Sequence, residues 1–229
     1  MIPLRDTLRS RRFPAMTWAI LLLNLGVFLF EIMLSPEALV QFTEQFGLVP
    51  SLFQTDPAQF TFTIFSSMFI HAGWFHLISN MWILFIFGDN VEDRMGSLSF
   101  LVFYLISGVA AGLLQVFFFP ESGIPVVGAS GAIAGVLGAY ILMFPSARIV
   151  TLVPLLIFFT VIRVPALVYL GFWFFSQLFS GLASMEGAAG GVAWWAHIGG
   201  FLMGLVISPF FRKPPEPEVI EPPTRRIYY

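Results

Sequence analysis

Six stretches of roughly 20 mostly apolar residues, near 15–34, 72–88, 97–119, 127–144, 164–182 and 192–211, decide what this chain can become. Each is long enough to cross a bilayer as a helix. In hydrocarbon a helix satisfies its own backbone N–H and C=O groups, which an open strand or loop cannot. The expected fold is therefore an all-α membrane protein, a polytopic bundle of six transmembrane helices. Composition agrees, with 58% of the 229 residues hydrophobic and only 10% charged, against about 25% charged in an average soluble domain. The first stretch follows Arg5, Arg9, Arg11 and Arg12, a start that a signal peptide would share. Five further apolar stretches, and no small-residue cleavage site, predict a retained helix.

The basic residues set the expected orientation. Besides the N-terminal arginines they are Arg94, Arg148, Arg163, Arg212, Lys213, Arg225 and Arg226. All fall before span one, in alternate connections, or after span six. The intervening connections carry acids only, among them Glu37, Glu44, Asp56, Glu121 and Glu186. Both termini are thus expected to be cytoplasmic. Three sections follow: a basic N-terminus (1–14), the six-span core (15–211) and a proline-rich cytoplasmic tail (212–229), read as extended and solvated. The long connection 35–71 is expected to lie partly in the membrane interface. So is TLVPLLIFFTVI (151–162), which is apolar but too short and proline-broken to span.

Several chemistries drop out. The chain has no cysteine, so disulfides, thiolate metal sites and cysteine nucleophiles are excluded. Three histidines without cysteine argue against a structural zinc site. A net charge of −2 offers no footprint for nucleic acid.

The polar residues inside the spans are the informative ones. In GASGAIAG (128–135), Ser130 sits among small residues whose ordinary role is close helix packing. At 1.5 Å per residue it lies roughly 5 Å below the outer end of span four. His197 on span six lies about 7 Å in, and His76 on span two about 5 Å in, with Asn80 one turn deeper on the same face. Four chemically capable residues from three spans therefore share one slab. A serine needs a base to take its proton, and His197 is available. The oxyanion formed by attack needs donors. The Asn80 amide, a His76 ring N–H and the Ser130 backbone N–H, at a helix start, can serve. No Asp or Glu lies near that depth in spans four or six, so a Ser–His dyad is expected. Glu31 is closest by depth but is read as facing the interface, and His71 as structural. Gly131, Gly135 and Gly138 on span four, with Gly200 and Gly204 on span six, let the two helices touch. Water has to enter from the outer side.

These residues resemble the rhomboid intramembrane serine proteases over about residues 15–211. The resemblance rests on GASG (128–131), AHIGGFLMG (196–204) and HAGWFHLISN (71–80). It implies Ser130 as nucleophile within Gly128, Ser130 and Gly131. It implies His197 as base, followed by Gly199, Gly200 and Gly204. His76 and Asn80 would stabilise the oxyanion. Glu92 and Arg94, in VEDRMG, match a structural motif of the family. It further implies cleavage of transmembrane protein substrates in the lipid bilayer near its outer face, without cofactor or metal. Favoured sites are helix-weakening sequences with a small residue before the cut. Substrate entry between spans two and five makes Trp173, Phe174 and Phe175 gate candidates. Two features depart from the family pattern: position 134, where some relatives carry an aromatic ring, is Ala134, and residues 35–71 lack the Trp-Arg pair. The compact form suggests a bacterial plasma membrane; oligomeric state is left open. Two other readings are a catalytically silent relative that binds transmembrane clients, and a small channel or transporter, which would need polar residues through the midplane.

Overall fold

The computed structural model describes residues 1–155, 158–185 and 191–212. The expected tail (212–229) falls outside the described residues beyond Arg212. In chain order the elements are strand β1 (Ile2–Asp6), helix α1 (Ala15–Glu31) and the short helices α2 (Pro36–Phe46), α3 (Pro50–Thr55), α4 (Pro57–Phe60) and α5 (Thr63–Ser66). A 3₁₀ turn (Ser67–Phe69) leads into α6 (Trp74–Met95), α7 (Ser97–Phe118) and α8 (Ser130–Met143). Strands β2 (Arg148–Leu155) and β3 (Phe158–Pro165) precede α9 (Ala166–Met185) and α10 (Trp194–Phe211).

Helices fall on all six apolar stretches, yet they are unequal. Among the described residues only α7, α9 and α10 are each long and apolar enough to cross a membrane unaided. α6 qualifies together with Thr63–Phe69, from which it is bent by 94°. α1 and α8 are shorter apolar helices. With 14 residues, α8 covers about 21 Å, less than the roughly 30 Å of bilayer hydrocarbon. Loop backbone, not helix, precedes Ser130.

α8 is the axis of the bundle. Every residue from Gly131 to Tyr140 is buried, as expected of a helix apolar on all sides. α10 and α7 pack closely on it, and glycines make that possible. A Cβ on Gly200 would strike the Gly131 carbonyl, and one on Gly204 the Gly135 carbonyl. Gly138 faces the Phe201 carbonyl in the same way, while Gly199 lies against Leu114 and Ala110 of α7. α9 is peripheral, with 22% of its span buried inside against 44% for α7 and α10.

The all-α expectation needs correction. β1, β2 and β3 form an antiparallel sheet at the end of the bundle where α6 and α8 finish. The described residues of segment 151–162, expected to dip into the interface, belong to β2 and β3, with Thr151 paired to Ile162. Its β-branched and aromatic residues suit extended backbone, and pairing satisfies the polar groups that a lone apolar segment would leave exposed. The basic N-terminus is likewise partly a strand. Asp6 accepts hydrogen bonds from the Tyr140 hydroxyl (2.6 Å) and the Asn90 amide (2.9 Å), tying β1 to α8 and α6. Burial raises its carboxyl above the ordinary range. The Trp82 indole also donates to the Pro3 carbonyl at 2.7 Å.

At the same end, Glu92 caps α1. Its carboxylate accepts from the backbone N–H groups of Met16 (2.9 Å) and Thr17 (2.7 Å) and from the hydroxyls of Thr17 and Ser97. A carboxylate at a helix N-terminus satisfies orphan donors and meets the positive end of the dipole. Arg94, two residues on, lies over the Phe144 ring at 6.0 Å. The connection 35–71 folds back onto the bundle, with Leu48, Ile64 and Met68 buried. Leu48 and Met68 fill the space over Gly112 and Gly108 of α7.

The glycine contacts predict that Gly204→Ala destabilises the protein by about 1–3 kcal/mol, the usual cost of overpacking. Gly26, with nothing within 4 Å of an added Cβ, is the control. Gly26→Ala should be neutral or gain about 0.5–1 kcal/mol of helix propensity. Unfolding in detergent micelles distinguishes the two, and equal midpoints would refute the close-contact account.

Candidate active site

Ser130 is the first residue of α8, so its N–H has no intrahelical acceptor. Gly128 just before it has φ +118°, a region that disfavours any residue with a Cβ. The Gly128 N–H is held by the Ser67 carbonyl at 2.8 Å. The loop therefore delivers Ser130 to the N-terminal tip of α8 in a defined orientation. His197, one turn into α10, brings Nε2 to 2.8 Å from Ser130 Oγ. That is hydrogen-bond distance, created by the helix pair that Gly200 and Gly204 allow to approach.

His76 and Asn80 face the same space. A cavity of about 490 Å³ is lined by both, by Ser130 and His197, and by Trp173, with Phe87, Leu137 and Tyr169 deeper inside. His76 Nδ1 accepts from the Ala72 N–H at 3.3 Å, so the ring proton resides on Nε2. That nitrogen points at Gly128, where an added Cβ would lie 2.6 Å from it. Asn80 donates one amide hydrogen to the His76 carbonyl at 2.8 Å. An amide has two, and the second is free for a ligand.

His71 and Glu31 explain how this arm is held. α6 begins after Gly73, whose φ is +149°, at the 94° bend. Both Glu31 oxygens accept from the His71 N–H, at 3.3 and 3.2 Å. Glu31 was expected to face the interface. Instead it is 2% exposed, because the bend leaves a backbone donor that needs a buried acceptor. The His71 ring packs edge-on against His76 at 5.0 Å.

Among the described residues no carboxylate bonds His197. Its Nδ1 is instead 2.7 Å from Gln177 Oε1 on α9, a residue that the sequence reading passed over. Position 134 is a buried alanine, and the rings near His197 come from Trp173 (6.0 Å) and Trp194 (6.2 Å). Of the gate candidates, Trp173 lines the cavity. Phe174 stacks on Phe201 of α10 at 4.7 Å, and Phe175 is exposed. No group of three or more potential metal ligands occurs among the described residues.

This arrangement coincides with a match to the Rhomboid domain model over residues 58–214. The chain belongs to the rhomboid family. It is 33% identical over 135 residues to Rhomboid-like protein 11, chloroplastic, of Arabidopsis thaliana, covering 58% of this chain and 44% of that protein. It is 30% identical over 173 residues to Rhomboid protein 1, mitochondrial, of Saccharomyces cerevisiae, covering 71% of this chain and 45% of that protein. The chain thus spans less than half the length of these relatives. The rhomboid domain and the apolar helices make it an integral membrane protein.

Glu31→Ala should destabilise the protein by about 1–3 kcal/mol, because it strands a buried donor. Glu31→Gln keeps an acceptor and should lose less than half of that. Thermal unfolding of the three proteins in one detergent tests this; equal loss in both variants would refute the anchoring role.

Proposed function

We propose that this rhomboid is an intramembrane serine endopeptidase. The observation that carries the reading is the 2.8 Å contact of Ser130 Oγ with His197 Nε2, at a cavity that His76 and Asn80 also line. Ser130 Oγ attacks the scissile carbonyl carbon while His197 Nε2 takes the hydroxyl proton. The carbonyl π electrons move to oxygen. That oxyanion meets the Ser130 backbone N–H, the His76 Nε2–H and the spare Asn80 N–H. The oxyanion then collapses, the C–N bond breaks, and His197 returns its proton to the departing amine. This leaves an acyl-enzyme. Water, deprotonated by His197, attacks the ester and releases a carboxylate product with the serine restored.

The substrate is a transmembrane segment of another membrane protein. Its scissile bond has to leave helical geometry, since helical hydrogen bonds shield the carbonyl, so helix-weakening residues favour cleavage. The weakly packed α9, with Trp173 at the cavity, supports entry between α6 and α9. The six helices are read as six spans. Arg5, Arg94, Arg148, Arg163 and Arg212 gather at the sheet end of the bundle, which by the positive-inside rule is the cytoplasmic end. Both termini of the core then face the cytoplasm and the site faces the outer side. A bacterial plasma membrane was the expected residence. The relatives named above, mitochondrial and chloroplastic by name, do not speak for it.

Cleavage of a reporter transmembrane segment in liposomes tests the mechanism. Ser130→Ala and His197→Ala should abolish cleavage, and Asn80→Ala should lower it about 10-fold or more, as loss of an oxyanion donor does. A fluorophosphonate should label the parent at Ser130. Equal cleavage by parent, Ser130→Ala and His197→Ala would overturn the mechanism. No cleavage and no labelling of the parent would favour the silent client-binding reading.

A further inference from the structure

A Ser–His pair works only with the imidazole in one tautomer. Nε2 has to be unprotonated toward Ser130, so the ring proton has to sit on Nδ1. Free imidazole side chains favour the opposite form, and a second hydrogen bond usually decides the matter. Soluble serine proteases use a buried aspartate for this. Here no carboxylate reaches the ring among the described residues, and α9 contributes an amide.

We infer that Gln177 is the positioning residue that sets the His197 tautomer, in the place where a triad has an acid. The inference rests on the protease reading for its catalytic meaning, but its structural basis is separate. Gln177 is 6% exposed, and its Oε1 lies 2.7 Å from His197 Nδ1. Which end of the amide faces the ring is fixed one step further out. The Ser176 hydroxyl donates to the Trp173 carbonyl at 2.6 Å, so its proton is committed and its oxygen accepts. The Gln177 amide nitrogen lies 3.0 Å from that oxygen and donates to it. The amide oxygen is thereby turned to His197, and it accepts only from an Nδ1–H. Polarity thus runs in one direction from the Ser130 hydroxyl through His197, Gln177 and Ser176 to a helix carbonyl.

A neutral acceptor differs from an aspartate in one respect. It orients the ring without adding a negative charge to stabilise imidazolium. In an apolar bundle this avoids an ionised carboxylate, whose burial is costly. α9, the least buried of the long helices, then has a second consequence: displacing it withdraws Gln177 from His197, so the ring is set only when α9 is seated.

The test uses the full chain in detergent micelles, labelled with ¹⁵N histidine. The chain has only three histidines, and His197→Ala assigns the third. The parent should show His197 as the Nδ1–H tautomer, and Gln177→Leu should move it mainly to Nε2–H. In liposome cleavage, Gln177→Leu should lower kcat about 10-fold or more with KM within about 2-fold, since Gln177 does not line the cavity. Gln177→Glu keeps the acceptor and adds charge beside Nδ1, which favours imidazolium. Its acid limb of kcat/KM should therefore move to higher pH, while kcat stays above that of Gln177→Leu. An unchanged tautomer in Gln177→Leu overturns the inference whatever the activity. If Gln177→Leu does not fold, an unmoved acid limb in Gln177→Glu overturns it instead. A tautomer shift in a chain whose parent cleaves nothing would leave the positioning role standing and overturn the protease reading alone.

Discussion

Everything at the site depends on how closely α10 approaches α8. The two helices meet backbone to backbone: a Cβ on Gly200 or Gly204 would strike the Gly131 or Gly135 carbonyl, and one on Gly138 the Phe201 carbonyl. In hydrocarbon such contact does not come from hydrophobic burial, since lipid tails are as apolar as the side chains. It comes from dispersion over a large, smooth surface and from the fit of small residues. His197 lies three residues before Gly200, and Ser130 one residue before Gly131. A hydrogen bond of 2.8 Å between them is therefore set by the same contact that holds the bundle together. A methyl group added at this contact would push the two helices apart, and the two side chains with them.

A second constraint acts along the helices. Chemistry inside a membrane needs free donors, and a regular helix has none except at its ends. α8 solves this by starting at Ser130, well inside the apolar stretch, and α6 by starting at Trp74 after a 94° bend. Both starts use glycines in the left-handed region, Gly128 and Gly73. The backbone groups released by the break are then accounted for singly. The Gly128 N–H goes to Ser67 and the His71 N–H to Glu31. The Ser130 N–H, at the first position of α8, has no intrahelical acceptor. The opposite end of the bundle is handled differently, with Glu92 closing the start of α1 and Asp6 joining β1 to α6 and α8.

What was legible in the sequence follows from these constraints. The apolar periods located the six helices. Rise per residue put Ser130, His197, His76 and Asn80 at one depth, and a cavity lined by all four is found there. Depth carries no information about rotation, however. Gln177 lies on an aromatic-rich helix, and nothing in GFWFFSQLF says which side faces α10. Glu31 was misjudged for the same reason: its direction depended on a bend around Gly73 that lies 42 residues away in sequence. The sheet was missed because apolar β-branched residues read alike in a strand and in an interfacial segment. What separates them is a partner, and the partner is the arginine-rich N-terminus, whose pairing with β2 is long-range.

α9 joins these points into one question about opening. Its packing is the lightest of the long helices, yet it carries Trp173 beside the cavity and the amide that meets His197. It also begins directly after β3, so the sheet end of the bundle is its fixed end. The far end leads into residues 186–190, outside the described residues, and returns as α10 at Trp194. A helix packed this lightly can move while the glycine contacts between α8 and α10 hold. On the protease reading, such a movement would alter access for a substrate helix and withdraw Gln177 from the His197 ring. Entry and activation would then be opposed: the seat has to open to admit the chain and close again before His197 can act as a base.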